Sequence, residues 1–94
     1  MKITKVQAVK SNITYEPKSK YGLGQMIKIT AEVYESDGSI KDYNAEFLGY
    51  ITSIQKTYNK RQYHLYISYV YTVQCPKLHN YLSFPEEQIL PVEE

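Results

Sequence analysis

Residues 46–54 read Glu-Phe-Leu-Gly-Tyr-Ile-Thr-Ser-Ile and lie at the centre of the 94-residue chain. Apolar side chains occupy both faces of this segment: Phe47 and Ile51 on one, and Leu48, Tyr50 and Ile54 on the other. A strand that is apolar on both faces is normally surrounded, and the sequence offers neighbouring strands at residues 26–35 and 63–73. Gly49 is the position where such a strand is able to bend sharply. The segment therefore predicts a central, bent strand in a mostly antiparallel sheet.

Both flanking segments alternate with a period of two, which is typical of strands with one buried face. The apolar sets are Ile27, Ile29, Ala31 and Val33 in the first, and Tyr63, Leu65, Ile67, Tyr69, Tyr71 and Val73 in the second. We expect five of these side chains to be nearly inaccessible to solvent: Ile27, Ile29, Val33, Leu65 and Ile67. The even positions of the second strand, from His64 to Thr72, then lie on its outer face.

The ends of the chain contain shorter elements. Residues 1–9 alternate weakly and predict a short edge strand with lysines along it, and residues 21–25 predict a flexible approach to the first long strand. Residues 83–86 read Ser-Phe-Pro-Glu, which matches a capping box with proline in the first turn. We therefore expect one helical or 3₁₀ turn through Gln88, followed by a short edge strand over residues 89–92.

Composition limits the classes of protein. A chain of 94 residues supports a single domain, and 11 tyrosines with no tryptophan favour strands over helices. The net charge is +1, but the charged residues fall in four blocks whose net charges alternate in sign and are about equal in magnitude. The blocks are basic over residues 1–28 and 56–85 and acidic over residues 29–55 and 86–94. We expect antiparallel pairing to bring these blocks together so that they largely cancel.

The cellular location follows from cysteine content and the lack of targeting patterns. Cys75 is the one cysteine, so no disulfide forms within the chain, and no apolar run of signal-peptide or membrane-span length is found. These observations predict a cytoplasmic protein that does not span a membrane.

Three segments together resemble small SH3-like barrels of bacterial and phage proteins: Lys20-Tyr-Gly-Leu-Gly-Gln-Met-Ile27, Leu48-Gly-Tyr-Ile-Thr-Ser-Ile54 and Phe84-Pro-Glu-Glu-Gln-Ile-Leu-Pro-Val92. The resemblance covers residues 20–92 and implies an all-β, strongly bent antiparallel barrel with residues 1–19 as an N-terminal extension. Gln25 stands where these domains usually have an acid. Such barrels bind nucleic acids, proteins and peptides alike, so the resemblance implies a fold rather than an activity.

No motif indicates catalysis, a cofactor or a metal. Cys75 and His79 have a C-x3-H spacing, but a structural zinc site needs four ligands and no second pair is present. Cys75 could act as a nucleophile with His64 or His79 as its base, but no glycine loop that could stabilise an oxyanion flanks Cys75. We therefore predict a non-enzymatic protein without cofactor or metal.

The exposed tyrosines predict a protein-binding surface. We expect Tyr50, Tyr58, His64, Tyr66 and Ser68 to share the outer face of the sheet. Clustered tyrosines provide large contact area at low entropic cost. We expect this face to be covered by residues 1–19, by a protein partner or by a second copy. The predicted function is a non-catalytic protein-binding module, either a phage or bacterial regulator or inhibitor of a host protein or a structural adaptor.

The alternative is nucleic-acid binding through the basic, aromatic turn at residues 56–66. Its candidate contacts are Lys56, Lys60, Arg61 and Tyr63. Cations beside aromatic rings are typical of proteins that bind single-stranded nucleic acids. The near-zero net charge and the acidic residues between Glu32 and Glu46 argue against it.

Overall fold

The computed structural model describes residues 1–9 and 19–91, and these residues form an all-β fold. The strands are β1 (Lys2–Ala8), β2 (Met26–Tyr34), β3 (Ile40–Arg61), β4 (His64–Cys75), β5 (Asn80–Pro85) and β6 (Ile89–Pro91). Two 3₁₀ turns, Pro76–Leu78 and Glu86–Gln88, precede β5 and β6. The second turn confirms the turn predicted through Gln88, although no side chain caps it.

The strands form one six-stranded sheet in the order β5-β4-β3-β2-β1-β6. β3 lies between β2 and β4, as its two apolar faces predicted. β1 and β6 are parallel and the other four pairings are antiparallel, so the sheet is mixed. Among the described strands no pairing joins β5 to β6, and the sheet is therefore not closed into the barrel that we expected.

The sheet is nevertheless strongly curved, because its two edge strands are consecutive in the chain. β5 and β6 are separated only by the second 3₁₀ turn. The four residue steps from Pro85 to Ile89 span at most about 14 Å. A flat six-stranded sheet is about 24 Å wide, so only a curved sheet allows this connection.

The concave face of the sheet encloses the core. Its buried members come from all six strands and from the segment before β2: Val6, Ala8, Tyr21, Ile27, Ile29, Ile51, Tyr71, Val73, Phe84 and Ile89. Ile27 and Ile29 are completely buried, as predicted, and Val33 is only half-buried. The prediction was wrong for Leu65 and Ile67, which are 63% and 49% exposed.

Leu65 and Ile67 are exposed because β3 and β4 continue past the rest of the sheet. β2 pairs with β3 only as far as Tyr50, and β5 pairs with β4 only from Val70. Residues 55–61 of β3 and 64–69 of β4 therefore pair only with each other. We call this two-stranded projection the ribbon. Its alternation is that of a strand pair, but no third strand among the described residues pairs with either of its strands.

The segment before β2 is packed rather than flexible. Gln25 is 2% exposed and its backbone carbonyl accepts a hydrogen bond from Ile51 N at 3.0 Å. The Tyr21 hydroxyl donates to the Ile89 carbonyl at 2.8 Å. The expected extension, residues 1–19, includes β1, which lies within the sheet between β2 and β6. Residues 10–18 of that extension and residue 92 of the last expected strand lie outside the described residues.

A candidate protein-binding ribbon

A β-bulge at Thr52 determines which side chains share a face of the ribbon. Ile51 pairs with Val73, whereas the next pair is Ser53 with Thr72, so Thr52 is an extra residue in β3. Its hydroxyl donates to the Thr72 carbonyl at 3.3 Å. Because one extra residue reverses the alternation, the even positions of β3 beyond the bulge lie on the same face as the odd positions of β4.

One face of the ribbon, which we call the apolar face, exposes three large apolar side chains. Tyr58 is directly opposite Ile67, and Leu65 lies two residues farther along β4. Tyr58, Leu65 and Ile67 are 60%, 63% and 49% exposed. Two cations border them: the Lys56 ammonium lies 5.4 Å from the centroid of the Tyr58 ring, and Lys60 is opposite Leu65. This face continues from the core side of the sheet, and the described strands leave it open.

The opposite, polar face contains three of the predicted binding residues. His64, Tyr66 and Ser68 alternate along β4, and the rings of His64 and Tyr66 lie 6.3 Å apart. The hydroxyls of Thr57 and Ser68 are hydrogen-bonded at 2.6 Å across the two strands. A shallow pocket of about 220 Å³ on this face is lined by Asn59, Arg61, Tyr66, Ser68 and Glu87.

The five predicted protein-binding residues do not form one cluster. Tyr58 lies on the apolar face, because the Thr52 bulge places it opposite the side that we expected. Tyr50 lies on the body of the sheet, where its hydroxyl donates to Gln74 Oε1 at 2.8 Å. Only His64, Tyr66 and Ser68 are adjacent. The described residues leave Tyr66 52% exposed, so β1 does not cover it.

The candidate nucleic-acid contacts are also divided between the two faces. Lys56 and Lys60 are on the apolar face, Arg61 is on the polar face, and Tyr63 is in the turn, where it is 97% exposed. The residues that sequence reasoning missed are Leu65 and Ile67, which it assigned to the core. Their strand pattern was correct, but the pattern alone does not say how far the covering strands extend.

A group of hydrogen bonds between buried and half-buried residues anchors the base of the ribbon. Tyr71 in β4 pairs with Ile54, and its hydroxyl donates to Glu86 Oε2 of the second 3₁₀ turn. The Tyr21 amide donates to the same hydroxyl at 3.4 Å. Burial raises the pKa of Tyr71 well above its ordinary value, and the hydrogen bond to Glu86 raises this pKa further. These contacts tie the ribbon to the C-terminal turn.

A second concave surface lies on the convex side of the sheet. It has a volume of about 670 Å³ and is lined by Val9, Met26, Lys28, Glu46, Leu48, Tyr50, Pro76 and Lys77. The Lys28 ammonium is 3.0 Å from Glu46 Oε1 at its rim. Tyr50 therefore belongs to this groove rather than to the ribbon.

The described residues offer no cluster suited to a metal. Within residues 1–9 and 19–91, no three His, Cys, Asp or Glu side chains are grouped so as to hold an ion. Cys75 is buried and its thiol donates to the Leu48 carbonyl at 3.4 Å. In the same part of the chain, no helix has the length and apolar character needed to cross a bilayer.

Comparison of the chain with protein-family models, with curated proteins and with solved structures finds no match.

Proposed function

We propose that this chain is a non-catalytic, cytoplasmic protein-binding module and that the apolar face of the ribbon is its principal contact. The observation that carries the proposal is the exposure of Tyr58, Leu65 and Ile67 side by side on two paired strands. Contiguous apolar side chains on a small protein mark interaction sites more often than isolated ones do. A regulator or inhibitor of a host protein, or a structural adaptor, is the role that we propose.

The architecture of the ribbon supports contact with a protein. Within the described residues, neither strand of the ribbon has a third neighbour, so its outer backbone N–H and C=O groups are free to pair with an extended segment of a partner. Its base is held by the buried Tyr71 hydroxyl, so a binding partner meets a surface that is already formed. Preformed surfaces bind with a smaller entropic cost.

We also propose a relationship to small SH3-like barrels. The support is the antiparallel succession from β2 to β5 and the 3₁₀ turn that returns the chain to β1 through β6. The parallel β1–β6 pairing and the open edge of β5 are departures from the expected barrel. The proposed relationship therefore rests on the order of the strands and not on closure.

Paired substitutions test the proposed contact. Leu65→Ser with Ile67→Ser removes apolar surface from the ribbon, and Leu48→Ser with Tyr81→Ser is a matched control because both residues are more than half exposed on the other side of the sheet. We expect affinity capture from a bacterial lysate to lose a specific protein with the ribbon variant but not with the control. Titration calorimetry with that purified protein should then show at least about a tenfold weaker affinity for the ribbon variant. Equal losses with both variants would contradict the proposal.

Nucleic-acid binding remains the second candidate, because Lys56 lies over the Tyr58 ring and Tyr63 projects from the turn. A single-stranded oligonucleotide titration distinguishes it. If Lys56, Lys60 and Arg61 neutralise three phosphates, the logarithm of the affinity should fall with that of salt concentration with a slope of about −2. No binding at low salt would remove this candidate.

A further inference from the structure

Opposite charges are concentrated in the two hairpins at the two ends of β3. The β2–β3 hairpin, which we call the acidic hairpin, spans residues 32–45 and has four acids against Lys41, a net charge of −3. The ribbon has Lys56, Lys60 and Arg61 and no acid, a net charge of +3. The turns of these hairpins, residues 35–39 and 62–63, precede and follow the same 22-residue strand.

The expected cancellation of charge within one molecule is found between β1, β2 and β3: Lys2 is paired with Glu32, and the Lys28 ammonium lies 3.0 Å from Glu46 Oε1. The cations of the ribbon lie apart from these pairs. β3 runs continuously from the acidic hairpin to the ribbon, so the two blocks lie one after the other along the strand rather than side by side. Within the described residues, no ion pair joins a cation of the ribbon to an acid.

We infer that the ribbon of one molecule docks on the acidic hairpin of a second copy, head to tail. This inference rests on the proposed function of the ribbon and names its partner. The two hairpins carry opposite net charges, and both carry exposed tyrosines: Tyr43 is 64% exposed on the acidic hairpin and Tyr63 is 97% exposed at the tip of the ribbon. Charge complementarity selects and orients the contact, and the tyrosines add contact area.

A head-to-tail contact has a distinctive consequence for assembly. Each dimer keeps one free ribbon and one free acidic hairpin, so further copies are able to add unless the series closes into a ring. Association should therefore pass beyond a dimer as concentration rises. Because the charged side chains are exposed, it should also weaken at least about tenfold when salt is raised from about 30 mM to about 500 mM.

Charge exchange tests the contact with two variants. Lys60→Glu with Arg61→Glu makes the ribbon negative, so both ends of that variant repel each other. Glu35→Lys with Asp42→Lys makes the acidic hairpin positive. All four side chains are exposed, and circular dichroism checks that both variants fold. A control, Lys5→Glu with Lys77→Glu, makes the same change in net charge as the ribbon variant at exposed positions elsewhere.

Sedimentation velocity and light scattering measure the mass of the species that each variant forms. We expect the wild type and the control to exceed the 11.0 kDa monomer increasingly with concentration at low salt, and each charge variant alone to remain monomeric. An equimolar mixture of the two variants restores one native contact between an acidic hairpin and a ribbon. It should therefore form species of at least about twice the 11.0 kDa monomer mass.

A wild type that stays monomeric at low salt, or a mixture that stays monomeric, would overturn the inference. The inference would also be overturned if the control lost association as completely as the two charge variants do. The proposed function is tested separately: if the wild type is monomeric while Leu65→Ser with Ile67→Ser still abolishes capture of another protein, the inference fails and the proposed function stands, because the ribbon then binds a partner that is not this chain. Self-association that survives in both charge variants but is lost in Leu65→Ser with Ile67→Ser would also overturn the inference, because the contact would then be apolar rather than charged.

Discussion

Gly49 is a buried residue of β3, next to the position where the pairing with β2 ends and the pairing with β4 begins. It pairs with Ile27 of β2, and the next residue, Tyr50, pairs with both Met26 and Gln74. A methyl group on Gly49 would lie 2.6 Å from Val73 Cγ1 and 2.9 Å from the Gln74 carbonyl oxygen. Gly49→Ala therefore tests whether this close approach of β4 to β3 is essential to the fold.

The expected cost follows from these two contacts. Ordinary carbon–carbon contacts are about 3.5–4.0 Å, so the methyl group overlaps Val73 by about 1 Å. Val73 is completely buried and the Gln74 oxygen belongs to the backbone, so neither moves without disturbing the sheet. Overpacking of this kind costs about 1–3 kcal/mol, and the lower entropy of the unfolded alanine chain offsets about 0.5–1 kcal/mol. We expect a net loss of about 1 kcal/mol and a decrease in Tm of about 6 °C.

Thermal and urea unfolding followed by circular dichroism measure the loss, and a double-mutant cycle assigns its cause. Val73→Ala removes the methyl group that Gly49→Ala would strike, so the two substitutions should couple by at least about 1 kcal/mol. A second cycle that combines Gly38→Ala with Val73→Ala should be additive, because nothing lies within 4 Å of a methyl group added at Gly38. A Tm of Gly49→Ala within about 2 °C of the wild type, or an additive cycle with Val73→Ala, would mean that β4 does not restrict the side chain at position 49.

Two further predictions concern the ribbon and its base. Ile67→Ala should cost about 1 kcal/mol or less because Ile67 is 49% exposed, whereas Ile29→Ala, at a completely buried position, should cost about 2–5 kcal/mol in the same urea titration; equal costs would mean that the ribbon is covered. The Tyr71 pKa is raised on folding, so its stabilising effect is complete below the ordinary tyrosine pKa of about 10 and is lost as pH rises above that value. Tyr71→Phe should therefore reduce stability at neutral pH by about 1 kcal/mol and lose less stability than the wild type between pH 9 and about 11.5; parallel pH profiles would contradict this.

The sequence was sufficient to predict the all-β class, the central position of β3 and the second 3₁₀ turn. Each depends on local signals: the period-two alternation around Ile27 and Ile29, the two apolar faces of residues 46–54, and the proline and acids near Gln88. The joining of β6 to β1 is a contact between the two ends of the chain. No local pattern specifies it, and its parallel direction was not predicted.

The composition of the candidate site was not predictable because of one residue. The Thr52 bulge reverses the alternation of β3, and nothing in the sequence around Thr52 distinguishes a bulged residue from a paired one. Without the bulge, Tyr58 would share a face with Tyr66, as we expected. With it, Tyr58 joins Ile67, and the apolar face of the ribbon becomes a different set of side chains.

The projection of the ribbon follows from the strand lengths that the structure shows, which the alternation of the sequence did not give. β2 has 9 residues and β5 has 6, whereas β3 has 22 and β4 has 12. Since a short strand covers a long one only along its own length, part of the β3–β4 pair must project, whatever the register. Alternating apolar residues in a projecting pair are not covered by the sheet that they continue from. The same alternation therefore gives a core at Tyr71 and Val73 and exposed side chains at Leu65 and Ile67, and the boundary between the two lies at Val70, where β5 ends its pairing with β4.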